Sequence, residues 1–486
     1  MNYISGMFAL FVITLLIFYY LLPKKLNLQG AVLLIGSLIF YLCFDVRYII
    51  FLLFTAISTY FTAILIKKTH AKKIIMALCI IANIAIWFAI KALPWTISMG
   101  NAILKTIGST IEIGSVSLIA PIGISYFTLQ AIGYLVDVYK EKFAPEKSFL
   151  KYFLFLSYFP AIVQGPISKY DQLAPCLVSK KRFSFEEFRT GLLLIAFGCV
   201  KKIVVADRLA ILVNNGFAQF KELNSIVLYF VAVGYAIQLY MDFSGCVDIC
   251  RGVSKLFGIS LVNNFNRPYL ATSIKEFWAK WHISLSNWLK DYIYIPLGGN
   301  RKGTGRKYLN LLITFLVSGL WHGAGISFFV WGAFHAIYQI IGQCTEKIRA
   351  RFKKFIGIKA NSTSEKIYKT VITFNLVTFA WVFFRATSLR AGIEFLQQMF
   401  LSGSFAITPI YELGVGKEYL FLLALHLIVF FAVEYCTKSQ DSSIESIINK
   451  HLIIRWVIYL VLIFDVILFG VYGQGYDVSD FMYGGF

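Results

Sequence analysis

The chain has little charge, little acid and few histidines. Of its 486 residues only 15% are Asp, Glu, Lys or Arg, while 58% are hydrophobic and 17% aromatic. That balance excludes a disordered or freely solvated chain and places the sequence among polytopic membrane proteins. Acidic residues number 25 against 46 basic ones, giving a formal net charge of +21. Such an excess raises nucleic acid as a partner. The basic residues, however, fall in short loops between apolar runs, so positive-inside orientation and anionic lipid headgroups account for them, and no nucleic-acid partner is expected. The eight cysteines lie mostly inside apolar runs. Cys246 and Cys250 share a helix face, but there is no C-x-x-C pair and no His/Cys ligand spacing. Reduced packing cysteines and no metal are the expectation. Also missing are the phosphate-cradling G-x-x-x-x-G-K-[ST] and G-x-G-x-x-G patterns and the G-x-S-x-G elbow of hydrolases. No internal repeat, low-complexity tract or soluble domain is visible. Residues 6–22 form an apolar run with no basic residue ahead and no small-residue cleavage site behind, which reads as a retained helix.

What is present is a succession of apolar runs. A run of about 20 residues spans a bilayer, and about eleven such runs or strong candidates can be counted. The expected fold is therefore all-α and polytopic, with re-entrant or amphipathic helices around a central cavity. Loops rich in basic residues alternate with poor ones: Lys24 and Lys25, then only Arg47, then Lys67, Lys68, Lys72 and Lys73. This alternation puts the 67–73 loop in the cytoplasm and both termini outside. Two segments carry breakers. Pro121-Ile122-Gly123 weakens the run 117–138, and Gln164-Gly165-Pro166 ends a run too short to span, which fits a bent or re-entrant element. The chain divides into N-terminal helices (1–116), a core (117–390), and C-terminal helices with an external tail (391–486), all within one membrane domain.

The stretch 264–323 concentrates the chemistry. It holds Asn264-Phe265-Asn266-Arg267-Pro268, then Trp281-His282-Ile283-Ser284, then Pro296-Leu297-Gly298-Gly299, and closes on Trp321-His322-Gly323. These two histidines stand among apolar and aromatic neighbours in a chain with only six. In the apolar run 308–320 the polar exceptions are Asn310, Thr314 and Ser318, and the next step of four is His322. On a helix they form one stripe, which in hydrocarbon must face protein or water. An imidazole there suits proton transfer, since it titrates near neutrality; a packing histidine bonded to a carbonyl is the plainer alternative. Ser273 with Glu276 reads as a capping box starting a helix. Along that helix Trp278, Trp281, Leu285, Trp288 and Tyr292 make one aromatic face with His282 at its edge, as expected of an amphipathic helix at the membrane surface. Gln238 and Asp242 share a helix face within apolar surroundings and either orient a ring, line a pore or serve structural hydrogen bonding. Arg301, Lys302, Arg306 and Lys307 sit among glycines, as a flexible cytoplasmic loop does, and could also bind the phosphates of a donor.

The ordered combination of these motifs resembles the membrane-bound O-acyltransferase family. Within it, the sequence is most similar to the bacterial branch acetylating exported polysaccharides such as alginate and peptidoglycan, and more distantly to the D-alanyl transfer protein of teichoic acids. Matching segments run from about Pro121 to Arg385, including Tyr240-Met241-Asp242-Phe243-Ser244-Gly245 and Trp381-Val382-Phe383-Phe384-Arg385. The resemblance implies that His322 is the catalytic histidine and His282 the second characteristic one; Ser318, Trp321, Asp242 and Gln238 stand beside them as candidate cavity or orienting residues. It also implies an acyl group moved from a cytosolic thioester, acetyl-CoA, across the plasma membrane for O-acetylation of an exported cell-surface polysaccharide. A separate extracytoplasmic acetyltransferase is the expected partner for delivery to the polymer. The tail ending Tyr483-Gly484-Gly485-Phe486 resembles an aromatic motif in which a tyrosine accepts the acyl group. Here glycines replace the usual aromatic and polar residues between that tyrosine and the last phenylalanine. The alternatives are D-alanyl transfer from a carrier protein, lipid or protein acylation, or, in a different class, a transporter or channel.

Overall fold

In the computed structural model the described residues are 1–21, 28–109, 111–114, 119–403 and 406–472, and among them helix is the only regular structure. Six helices are long and apolar enough to cross a membrane: Val46–Lys68, Lys72–Lys91, Ser225–Leu256, Thr363–Arg385, Lys417–Cys436 and Leu452–Phe469. Gly6–Leu21 and Gln29–Leu42 are apolar but shorter. The other apolar runs fold into shorter or more polar helices. Lys417–Cys436 buries only Leu423 and Leu452–Phe469 buries nothing. Such helices are soluble in hydrocarbon, where their own backbone bonds leave no polar group unmet.

The helices gather in two compact units. The first comprises Met1–Ile195 with Ile249–Val262. Its two breaker segments meet. Gly123 adopts a left-handed φ of 77°, and a side chain there would lie 2.3 Å from the Ile162 carbonyl oxygen. Only glycine fits that approach. The helix Ile124–Tyr139 consequently starts seven residues later than the apolar run that begins at Ser117. The neighbouring element is Phe149–Ser157, which ends in the turn leading to Gly165-Pro166. Buried tyrosines tie the unit together through polar tips: Tyr3 donates to the Phe159 carbonyl at 2.9 Å, and Tyr152 pairs with Thr59 at 2.7 Å.

The second unit comprises Ala196–Asp248 and, among the described residues, 263–472. Its core is the hairpin of Gly303–His322 and Ile326–Cys344. Two glycines set how closely these helices pack. A side chain at Gly319 would lie 2.3 Å from the Phe328 carbonyl oxygen, and one at Gly332 would lie 2.3 Å from that of Phe315. Small residues at such crossings let helix backbones touch, which in lipid is a main source of association. Thr363–Arg385 packs on the Ile326–Cys344 helix and contributes the buried Trp381 and Phe384.

Candidate active site

The polar stripe expected on the Gly303–His322 helix faces protein. Asn310, Thr314, Ser318 and His322 are all buried. Asn310 donates to the carbonyls of Gly299 at 2.9 Å and Leu297 at 3.3 Å, so the Pro296-Leu297-Gly298-Gly299 turn is fastened to the helix through its first stripe residue. Thr314 donates back to Asn310 at 2.7 Å. His322 ends the helix, before the extended backbone of Gly323.

His282 is placed by a different device. The single amphipathic helix expected from Ser273 is in fact two, Ile274–Lys280 and Ile283–Leu289, and His282 stands at the break in a left-handed conformation (φ 43°, ψ 54°). A non-glycine residue pays a steric penalty there unless its surroundings hold it. Here the Asn264-Phe265-Asn266 segment supplies the hold. The Asn264 carbonyl accepts from Ile283 N–H at 3.0 Å, its side-chain oxygen accepts from Ser284 N–H at 3.0 Å, and Asn266 N–H donates to Lys280 at 3.0 Å. Half of the expected capping box forms: Ser273 accepts from Glu276 N–H at 3.2 Å, while the Glu276 carboxylate turns to Thr272 and Lys280.

The break carries His282 into the core, where it is fully buried. Its ring stands edge-on to Phe243 at 4.8 Å and to Trp321 at 5.9 Å. Trp321 in turn meets His322 at 4.7 Å. Trp321 thus contacts both histidines, which lie 40 positions apart in the chain. The far side of His322 packs on Trp331 at 5.1 Å and Phe384 at 5.2 Å. The two histidines thus stand within a wall of aromatic rings.

Asp242 is held by an ion pair: Lys202 lies 2.7 Å from it and 2.8 Å from Asp207, all three buried. The neighbouring Lys201 pairs with Asp248 at 2.6 Å, and Gln440 donates to the same carboxylate at 2.6 Å. Both lysines project from the π-helical stretch Val200–Ala206. A backbone approach at Gly245, where a side chain would sit 2.9 Å from the Gly198 carbonyl oxygen, seats that stretch on the Ser225–Leu256 helix. Gln238 is buried with its side-chain oxygen unbonded among the described residues. Arg301, Lys302 and Arg306 are exposed, and Lys307 bonds Gln343. Tyr483 lies outside the described residues. Among the described residues no group of three or more His, Cys, Asp or Glu side chains is placed to hold a metal ion.

Sequence reasoning missed the lysine partners of Asp242 and Asp248 and the clamp role of Asn264. The signal for the first was two adjacent lysines inside an apolar run, unaffordable there without two buried acids.

The described residues thus form a multi-helix membrane fold with two buried histidines that share one tryptophan neighbour. Comparison with known proteins specifies the family. Residues 141–389 match the MBOAT, membrane-bound O-acyltransferase family. The chain is 35% identical to the peptidoglycan O-acetyltransferase of Helicobacter pylori over 76% of its own length and 73% of the relative's. It is 30% identical to the probable alginate O-acetylase AlgI of Pseudomonas aeruginosa, over 88% of this chain and 82% of that one. The teichoic acid D-alanyltransferase of Bacillus subtilis is more distant, at 27% over 55% of this chain and 69% of that one. The chain belongs to the membrane-bound O-acyltransferase family.

Proposed function

We propose that this protein transfers an acetyl group from a cytosolic thioester, acetyl-CoA, to a hydroxyl on the outer side of the membrane, for O-acetylation of an exported polysaccharide. The observation that carries this reading is the placement of His322: at the end of a buried polar stripe, closed in by Trp321, Trp331 and Phe384. In the reaction, the His322 imidazole accepts the acceptor's hydroxyl proton as its oxygen attacks the thioester carbonyl. The tetrahedral intermediate then collapses, the carbon–sulfur bond breaks, and the imidazolium returns the proton to the departing thiolate. General-base help of this kind is worth roughly 10²–10⁴ in rate. The carbonyl end of the Gly303–His322 helix favours the imidazolium that forms midway. Excluding water from an aromatic-walled site also strengthens every dipole acting on the developing charge. Ser318, one turn before His322 and buried, is the nearest hydroxyl on the same stripe to meet the oxyanion. His282 orients the site through Trp321, and Asp242 serves the scaffold through Lys202.

Orientation follows from the loops: the basic turn holding Arg301, Lys302, Arg306 and Lys307 faces the cytoplasm and receives the donor's phosphates, and both termini lie outside. Tyr483 in the tail takes the acyl group onward, and a separate extracytoplasmic transferase delivers it to the polymer. The acetyl reading is favoured over D-alanyl transfer because the acetylating relatives are more similar and align over more of the chain. The test is reconstitution with labelled acetyl-CoA or a D-alanyl carrier protein at the cytoplasmic face and, at the other, a hydroxyl-bearing oligosaccharide together with an extracytoplasmic transferase. Label reaching the acceptor from acetyl-CoA alone supports the reading; transfer from the D-alanyl carrier alone overturns it.

A further inference from the structure

One polar cluster beside the histidine pair has no part in the mechanism above. His335 is fully buried, and its ring meets Trp278 at 5.0 Å and Trp331 at 5.1 Å, both edge-on. Phe315 at 6.1 Å and Phe277 at 6.3 Å close the cage. Neither His335 ring nitrogen has a hydrogen-bond partner among the described residues, and neither do the indole nitrogens of Trp278 and Trp331. A neutral imidazole offers one donor and one acceptor, and each indole offers one donor. Buried polar atoms are nearly always satisfied, so a cluster of unmet ones calls for an explanation. Phenylalanine in these places would pack without that cost. Sites that break a local rule in this way are where function is to be sought.

The position of the cage suggests its occupant. The antiparallel hairpin sets His335 level with Phe315, seven residues before His322, which is about 10 Å along the helix at 1.5 Å per residue. The cage is therefore displaced from His322 towards the Gly303 end, the end at which the basic turn stands. Trp331 touches both histidines, His322 at 5.1 Å and His335 at 5.1 Å. A thioester donor threading from that end towards His322 passes this level with the portion of its arm just behind the sulfur. In coenzyme A and carrier-bound thioesters alike, that portion is a secondary amide two carbons from the sulfur.

We propose that His335, with the indole N–H groups of Trp278 and Trp331, is a subsite for the amide of the donor's thioester arm. The amide carbonyl accepts from an indole N–H, and its N–H donates to the bare imidazole nitrogen. The proposal rests on the acyl-transfer reading and adds to it a positioning residue. By holding the arm, His335 fixes how far the thioester carbonyl reaches towards His322, the kind of placement on which rate depends steeply.

The experiment uses the purified full chain in lipid and two small donors differing only in the amide: the acetyl thioester of N-acetylcysteamine, and an alkyl thioacetate of matched length without an amide. The readout is the ratio of their kcat/KM values in wild type, His335→Phe, His335→Gln and Trp278→Phe. Wild type is expected to prefer the amide-bearing donor by about tenfold or more, because a site built for a hydrogen-bonding group rejects the analogue lacking it. His335→Phe should bring the ratio close to one, and His335→Gln, which keeps a donor and an acceptor, should restore part of it. Trp278→Phe is the second probe should the histidine variant fold poorly, and it should lower the ratio too. A folded His335→Phe protein with the wild-type preference would overturn the subsite, as would a wild-type ratio near one, the result expected if an ordered water alone meets these groups. Failure of the acyl-transfer reading looks different: wild type would transfer from neither donor.

Discussion

Replacing Lys202 by methionine perturbs the fold at its most charge-dependent point. Lys202 lies within ion-pair distance of two buried carboxylates, 2.7 Å from Asp242 and 2.8 Å from Asp207. Methionine fills nearly the same volume, so packing changes little and the loss is electrostatic. Two carboxylates are then left without the cation they share. Breaking a buried pair from one side costs about 3–5 kcal/mol. At 1.4 kcal/mol per factor of ten, that is roughly two to three and a half powers of ten in the folded-to-unfolded ratio. The assay is denaturant unfolding in detergent, followed by tryptophan fluorescence, with a second variant that adds Asp242→Asn to Lys202→Met. The double variant should be more stable than Lys202→Met alone, since one of the two carboxylate charges that Lys202 balanced has been removed. Transfer per folded molecule should stay measurable in the double variant, as expected of residues that serve the scaffold. If Lys202→Met unfolds within about 0.5 kcal/mol of wild type, the range of an ordinary surface change, the reading of Asp242 as scaffold is wrong.

Other expectations follow from single contacts. Gly319→Ala places a methyl 2.3 Å from the Phe328 carbonyl oxygen, so the helix hairpin must open. A loss of about 1–3 kcal/mol with reduced transfer is expected in thermal melts and activity assays. At His282, asparagine tolerates the left-handed backbone and β-branched valine does not. His282→Val should therefore melt lower than His282→Asn, while both lose activity if the ring orients the site. Glu276 gives a pH test. Partial burial pushes its carboxyl up, but hydrogen bonds from Lys280 and Thr272 prevail and hold it at about 2, against an ordinary 4.5. A depressed carboxyl stabilises fully above 4.5 and loses that contribution as pH falls through about 2. The stability gap between wild type and Glu276→Gln should accordingly be constant above pH 4.5 and close below it.

Much of the site was legible because it rests on local pattern. Asn310, Thr314, Ser318 and His322 recur every four residues, and a helix in an apolar setting has to turn such a stripe inward. The Trp-His motifs likewise announced that imidazoles would be buried. The helix break at His282 was not legible. The aromatic spacing from Trp278 to Tyr292 fits one continuous helix, and the clamp that interrupts it comes from Asn264, whose bonds to Ile283 and Ser284 no local periodicity encodes. Pairing across the chain hid the charge network in the same way. Lys202 and Asp242 are 40 positions apart, and the sequence left Asp242 open between orienting a ring, lining a pore and structural bonding because its cation belonged to another apolar run. The late start of the Ile124–Tyr139 helix has a similar origin, since Gly123 is shaped by the Ile162 carbonyl rather than by its neighbours in sequence.

The central claim is that His322 is the base of an acyl transfer. Its most direct test is labelled acetyl transfer from acetyl-CoA to a hydroxyl acceptor by purified, reconstituted protein, comparing wild type with His322→Ala and with His322→Gln. Both variants should fall by about 10²–10⁴ while melting near wild type. Wild-type rates in a folded His322→Ala protein would contradict the account.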